Sequence, residues 1–120
     1  MGKISVIIPS YNSRLTIEHC VRSVIDSGYR PLEVVVVDDC SADDSPEIVN
    51  RLRAEFPEIV RLIRCERNGG PAKARNAGAR ASSAQLLFFV DSDTEMLPDA
   101  LHKFAARIAE ADAVVGIYDA

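Results

Sequence analysis

Four consecutive valines, Val34-Val35-Val36-Val37, constrain this chain more than any other feature. β-branched side chains are stiff at χ1 and fit a pleated strand better than a helix. A run without polar alternation is covered on both faces, which is the condition of a central strand in a parallel sheet. Parallel strands cannot be joined by a tight hairpin, so each must be followed by a crossover, usually helical. A chain with this strand must therefore supply helices for both sides of a sheet.

The remaining sequence alternates accordingly. Residues 4–8 read as a first strand that Pro9 is expected to end. Ile17, Cys20, Val21, Val24 and Ile25 follow at helical spacing, with Asn12 or Ser13 as start signal and Gly28 as stop. Residues 32–37 form the second strand and residues 38–44 a polar loop. Ser45 is placed to cap a helix that opens at Pro46, carries Ile48, Val49, Leu52 and Phe56, and stops at Pro57. Residues 59–63 alternate weakly and are flanked by arginines, which places this third strand near an edge.

Asn68-Gly69-Gly70-Pro71 is a turn, and the alanine-rich residues 72–81 are a strong helix former. Residues 86–90 are a fourth strand. Pro98 opens a last helix with Leu101, Phe104, Ala105 and Ile108 facing inward, and residues 113–117 read as a fifth strand. The order is (βα)4β. It implies the α/β class, a three-layer α/β/α arrangement around a mostly parallel, Rossmann-like sheet, with right-handed crossovers. Ligands of such sheets gather above the strand C-termini, where the strand order reverses.

The 120 residues fit one domain, 1–120. A net charge of −4 and scattered basic residues give no grip for nucleic acid or an anionic membrane. Three widely spaced cysteines, Cys20, Cys40 and Cys65, make neither a disulfide framework nor a metal site, and reduced thiols point to a cytoplasmic location. Cys20 falls on an apolar helix face as filler. Cys40 adjoins Asp38-Asp39, whose charge disfavours a thiolate nucleophile. The start of the chain is too short in apolar residues for a signal peptide, and no stretch has the length of a membrane span.

Chemistry is concentrated behind the strands. Asp91-Ser92-Asp93 follows Leu86-Leu87-Phe88-Phe89-Val90 directly. If the chain stays extended there, both carboxylates point to one side and repel unless a cation joins them. A hard divalent ion shared with substrate phosphates suits that pair, while strand and turn capping also accounts for it. Tyr11 follows the first strand and offers a face on which a base can stack, or simple loop packing. Asp39 follows the second strand and can accept from a base N–H in plane, or cap its loop with Ser41 and Asp43. Lys73, Arg75 and Asn76 lie behind the glycine turn, at a helix start that can receive phosphate, although the glycine spacing matches no phosphate-loop pattern. His19 and His102 read as structural or surface residues, and no hydrolytic triad is recognisable.

Four segments taken together resemble the family 2 glycosyltransferases of the GT-A fold. They are Val6 to Asn12 with Pro9-Ser10-Tyr11, Val36 to Asp43 with Asp38-Asp39, Asn68 to Gly78 with Lys73 and Arg75, and Phe89 to Asp93. Each is weak alone, but their order covers nearly the whole chain. The resemblance implies a nucleotide-diphosphate sugar, usually a UDP-sugar, and Mg2+ or Mn2+. It places Pro9 and Tyr11 at the nucleoside, Asp39 at the base, and Lys73 with Arg75 toward base and phosphate. It brings Asp91 and Ser92 to the ribose or sugar, and gives Asp93, with Asp91, to the metal.

In that family a later segment supplies the acceptor site and, in inverting enzymes, a carboxylate base. No residue here matches the base; neither Asp112 nor Asp119 has the context, and the base is expected beyond Ala120. The expectation is a donor-binding part, incomplete relative to a full GT-A domain, that binds nucleotide weakly and turns over little. An open sheet edge near the fourth and fifth strands would favour self-association. Two rivals are a non-catalytic nucleotide- or sugar-binding module and a receiver-like signalling domain. The second expects its acidic pair behind the first strand and a phosphoacceptor behind the third, where this chain has Arg64-Cys65.

Overall fold

The computed structural model describes residues 2–110. Its elements follow in the order β1 (Ile4–Ser10), α1 (Ile17–Ile25), β2 (Leu32–Asp38), α2 (Ser45–Glu55), β3 (Val60–Arg64), α3 (Pro71–Ala81), β4 (Leu86–Phe89) and α4 (Ala100–Glu110). The four strands form one parallel sheet in the order β3-β2-β1-β4. The order reverses between β1 and β4, so the switch point lies above that pair. The expected fifth strand, residues 113–117, lies outside the described residues, as do Asp112, Asp119 and Ala120. The catalytic base expected beyond Ala120 lies outside the described residues as well.

Every residue of β2 is buried, as its valine run requires. Strand alternation divides the core in two. Ile4, Val6, Ile8, Val34 and Val36 pack with the apolar stripes of α1, α2 and α4 on one face. Ile7, Val35 and Val37 pack with Ala74 of α3 on the other. Burying each such side chain stabilises the fold by about 1.5–3 kcal/mol. The three layers thus form around a strand that faces oil on both sides. β3 lies at one edge of the described sheet, as its mixed pattern indicates, and β4 at the other.

α3 comes close to the sheet at Gly78. A Cβ there would stand 2.4 Å from Ile7 Cγ2 and 3.0 Å from Val37 Cγ2. Small residues on this helix are what let it approach.

Several boundaries differ from the sequence reading. Pro9 does not end β1, which runs on to Ser10 and pairs with Asp38 of β2. It ends the pairing with β4 instead. The N–H of Val90 donates to the Ile7 carbonyl, so Ile7 faces β4, and by alternation Pro9 does too. Proline has no N–H to donate, and the next rung is lost. α1 starts at Ile17, without a side-chain cap, beyond Asn12 and Ser13. Gly28 does take the left-handed φ of 73° expected behind a helix end. Asp44 precedes α2, and Ser45 and Pro46 form its first turn. α4 begins at Ala100, with Pro98 two residues ahead.

A carboxylate at the far end of the sheet ties the fold together. Glu33 of β2 is buried and accepts from Ser5 Oγ at 2.7 Å, the Ser83 N–H at 3.0 Å, Ser83 Oγ at 3.2 Å and Arg61 at 3.1 Å. It joins β1, β2, β3 and the loop entering β4. Burial alone would raise its pKa, but these donors together hold it below the ordinary value.

Candidate functional site

Strand polarity sends the loops behind β1, β2 and β4 to one rim. They enclose a cleft of about 340 Å3 lined by Pro9, Tyr11, Asp39, Asp91 and Ser92, with Ser10 at its floor. Asn68, Gly70, Pro71 and Ala74 close the side toward α3. Five of the six residues assigned to the nucleotide sugar therefore meet in one place. Lys73 does not. It is exposed and lies on an adjoining groove of about 760 Å3, shared with Asp39, Glu66, Arg67, Asn68 and Arg80. Asp39 borders both spaces.

Tyr11 is 52% exposed and keeps its ring available to the cleft. Asn12, with φ of 50°, fixes the turn behind it. Its Oδ1 accepts from the Ala42 N–H at 2.8 Å, and its own N–H donates to Ser41 Oγ at 2.9 Å. Asn tolerates this left-handed conformation better than most residues, and the clasp offsets what strain remains. Asp38 accepts from Ser41 through both oxygens, and Asp43 accepts from the N–H groups of Arg14 and Ser45 and from the Ser45 hydroxyl. The Asp43 carboxyl is held below the usual range: burial pushes it up, but the Ser45 and Arg14 donors and the Arg14 charge outweigh that. These acids build the loop.

Asp39 is 4% exposed. One carboxylate oxygen accepts the Gly69 N–H at 2.8 Å and the other the Gly70 N–H at 2.9 Å. The glycine turn thus gives these amides to Asp39, so they are not the phosphate cradle that a helix start suggests. Each oxygen keeps a second lone pair for a ligand donor.

The loop behind β4 is not extended. The Thr94 N–H donates to the Asp91 carbonyl at 3.0 Å and turns the chain. The two carboxylates consequently do not project in parallel. Asp91 lines the cleft and lies 3.5 Å from Arg75 of α3, whereas Asp93 is exposed beyond it. α1 and the turn ahead of it back this loop throughout. Ser13 meets Ser92, Cys20 Sγ donates to the Asp91 carbonyl, His19 pairs with Glu95 at 3.0 Å, and Ser23 accepts the Met96 N–H. Burial, together with the charges of Asp93 and Asp91, pushes the Cys20 thiol up to about 12. Cys20 is filler, as its helical position indicates, but filler that holds the acidic turn.

Asp91 and Asp93 share one turn at the cleft mouth; the Asp91 side chain is 46% exposed and Asp93 is exposed, so both carboxylates are open to solvent. That donor set fits a hard cation that takes its other oxygens from a diphosphate and water. Among the described residues no group of three or more His, Cys, Asp or Glu side chains converges on a metal position.

Sequence reasoning missed Ser10, Ser13 and Ala74. Ser10 lines the cleft with its hydroxyl buried and without a hydrogen-bond partner among the described residues. Ser13 was legible only as a helix start signal and Ala74 only as a helix former; their places at the site come from which loops and helices lie side by side.

Comparison with known proteins agrees with this geometry. The chain is 38% identical over 115 residues to the succinoglycan biosynthesis protein ExoO of Rhizobium meliloti, covering 95% of this chain and 32% of that protein. It is 30% identical to a GalNAc(5)-diNAcBac-PP-undecaprenol beta-1,3-glucosyltransferase of Campylobacter jejuni, covering 96% of this chain and 37% of that one. Among solved structures, S. aureus TarS 1-349 in complex with UDP-GlcNAc superposes with a TM-score of 0.81 at 37% identity, over 90% of this chain and 31% of that one. The mannosyltransferase PcManGT of Pyrobaculum calidifontis, in complex with GDP-Man and Mn2+, gives 0.77 at 30% identity, over 82% and 30%. The chain thus spans about a third of the length of these relatives. The family model "Glycosyl transferase family 2" matches residues 5–120, and with the GT-A architecture around the cleft it shows that the chain belongs to that family.

Proposed function

We propose that this chain is the donor-binding part of a glycosyltransferase that takes a sugar from a nucleotide-diphosphate sugar, with a uridine nucleotide as the donor. The observation that carries the reading is the meeting of Tyr11, Asp39, Asp91 and Ser92 around one cleft at the switch point. The Tyr11 ring offers a stacking face for the base, and a free lone pair of Asp39 accepts a ring N–H. Asp91 and Ser92 stand where ribose or sugar hydroxyls would lie. Asp91 and Asp93 would hold Mg2+ or Mn2+, whose charge would offset that gathering on the departing diphosphate. TarS with UDP-GlcNAc supports the choice of nucleotide, and PcManGT, with GDP-Man and Mn2+, supports the choice of ion.

The expected behaviour of the 120-residue chain is weak donor binding with little or no turnover. Calorimetric titration of UDP and UDP-sugars, with and without Mn2+, tests this. Binding strengthened by Mn2+ in the wild type, and made independent of Mn2+ by Asp93→Ala, is the result expected. UDP binding equally strong without metal would remove the assigned role of Asp93. No binding of any nucleotide sugar would remove the donor site.

A further inference from the structure

Ser13 joins the two halves of the cleft through its hydroxyl. It is 8% exposed and sits between Tyr11 and the acidic turn. Its Oγ donates to the Tyr11 carbonyl at 3.3 Å and lies 2.7 Å from Ser92 Oγ. A hydroxyl has one proton to give. Either serine can give the proton between them; when Ser13's own proton is directed at the Tyr11 carbonyl, it is Ser92 that gives it. Ser92 then turns lone pairs, not its O–H, toward the cleft.

From this geometry we infer that Ser13 is a positioning residue that sets the hydrogen-bond polarity of Ser92, making Ser92 an acceptor for a hydroxyl of the nucleotide's ribose. A phosphate oxygen offers no proton and does not match that polarity; a ribose hydroxyl does. The inference rests on the donor-site reading above and deepens it. The backbone agrees with a positioning role, since the Ser13 N–H donates to Ser45 Oγ at 2.9 Å and anchors the residue independently of its side chain.

The test is the ratio of affinities for UDP and 2′,3′-dideoxy-UDP, measured by calorimetry with Mn2+ on the 120-residue chain. The wild type should prefer UDP. Ser92→Ala should shrink that preference by about three- to tenfold, the worth of one neutral hydrogen bond. Ser13→Ala should shrink it by most of the same factor, and the double variant by no more than Ser92→Ala alone. Ser13→Thr keeps a hydroxyl and should retain the wild-type ratio if it folds. A purely structural role would weaken both nucleotides equally. Equal weakening, an unchanged ratio in Ser13→Ala, or losses that multiply in the double variant would overturn the inference while leaving the donor site standing. A wild-type chain that binds no UDP would bring down the donor-site reading, and the inference with it.

Discussion

The Asp39 carboxylate accepts the backbone N–H of Gly70 at 2.9 Å, at the point where α3 begins. With the Gly69 contact it locks the rim of β2 to the start of α3, across thirty residues of chain. Asp39→Asn would present an NH2 group to one of these amides. Charge-assisted hydrogen bonds contribute about 1.5–3 kcal/mol each, so the variant should lose about 2 kcal/mol of stability. Nucleotide affinity should fall with it. Urea denaturation and calorimetric titration measure the two losses, and a variant as stable as wild type would show that the lock is idle.

Gly78→Ala should destabilise the protein although alanine is the better helix former. The gain in helix propensity is about 1 kcal/mol. Against it stands a Cβ placed 2.4 Å from Ile7 Cγ2, between two buried strands. Overpacking of this kind costs about 1–3 kcal/mol, and α3 must lift to relieve it. A lowered urea midpoint is expected.

Glu33 should make stability depend on acid. Its folded pKa lies below the ordinary 4.5, because the Ser83, Ser5 and Arg61 donors outweigh the effect of burial. The stabilisation is therefore fully present above the unfolded value and is lost as pH falls through the folded one. Glu33→Gln should cost about 1–3 kcal/mol at pH 7. Its urea-derived stability should also decline less than that of wild type between about pH 5 and pH 2, since the mutant has no such proton to take up. Parallel declines in both proteins would contradict the assignment.

Cys20 should resist alkylation while the protein is folded. Its thiol is buried and pushed up to about 12, whereas Cys40 is exposed. Iodoacetamide at about pH 8 should label Cys40 first and reach Cys20 only in denaturant, as peptide mass spectrometry would show. Rapid native labelling of Cys20 would mean that α1 and the acidic turn separate readily.

The strands were legible because burial leaves a linear record. The four valines announce β2, and Leu86 to Phe89 announce β4. The rim position of Tyr11, Asp39 and Asp91 followed from strand polarity alone. Hydrogen bonds between loops left no such record. Periodicity says nothing of Asn12 clasping residues 41 and 42, or of Ser13 meeting Ser92. The glycine turn misled in an instructive way: a helix start attracts anions, and here the anion is the chain's own Asp39. That contact was within reach, since parallel pairing of β2 and β3 brings both segments to one rim. The extended reading of residues 91–93 failed because a local hydrogen bond to the Asp91 carbonyl competes with continuing the strand.

The early parting of β1 and β4 at Pro9 has a consequence for how such a protein can change its ligand. The recess lies above the point where the β1–β4 pairing stops, so backbone as well as side chains shapes its mouth. Exchanging the residues on its walls should retune what it holds. Replacing Pro9 with a residue able to continue the ladder would let the two strands zip further and narrow the mouth itself.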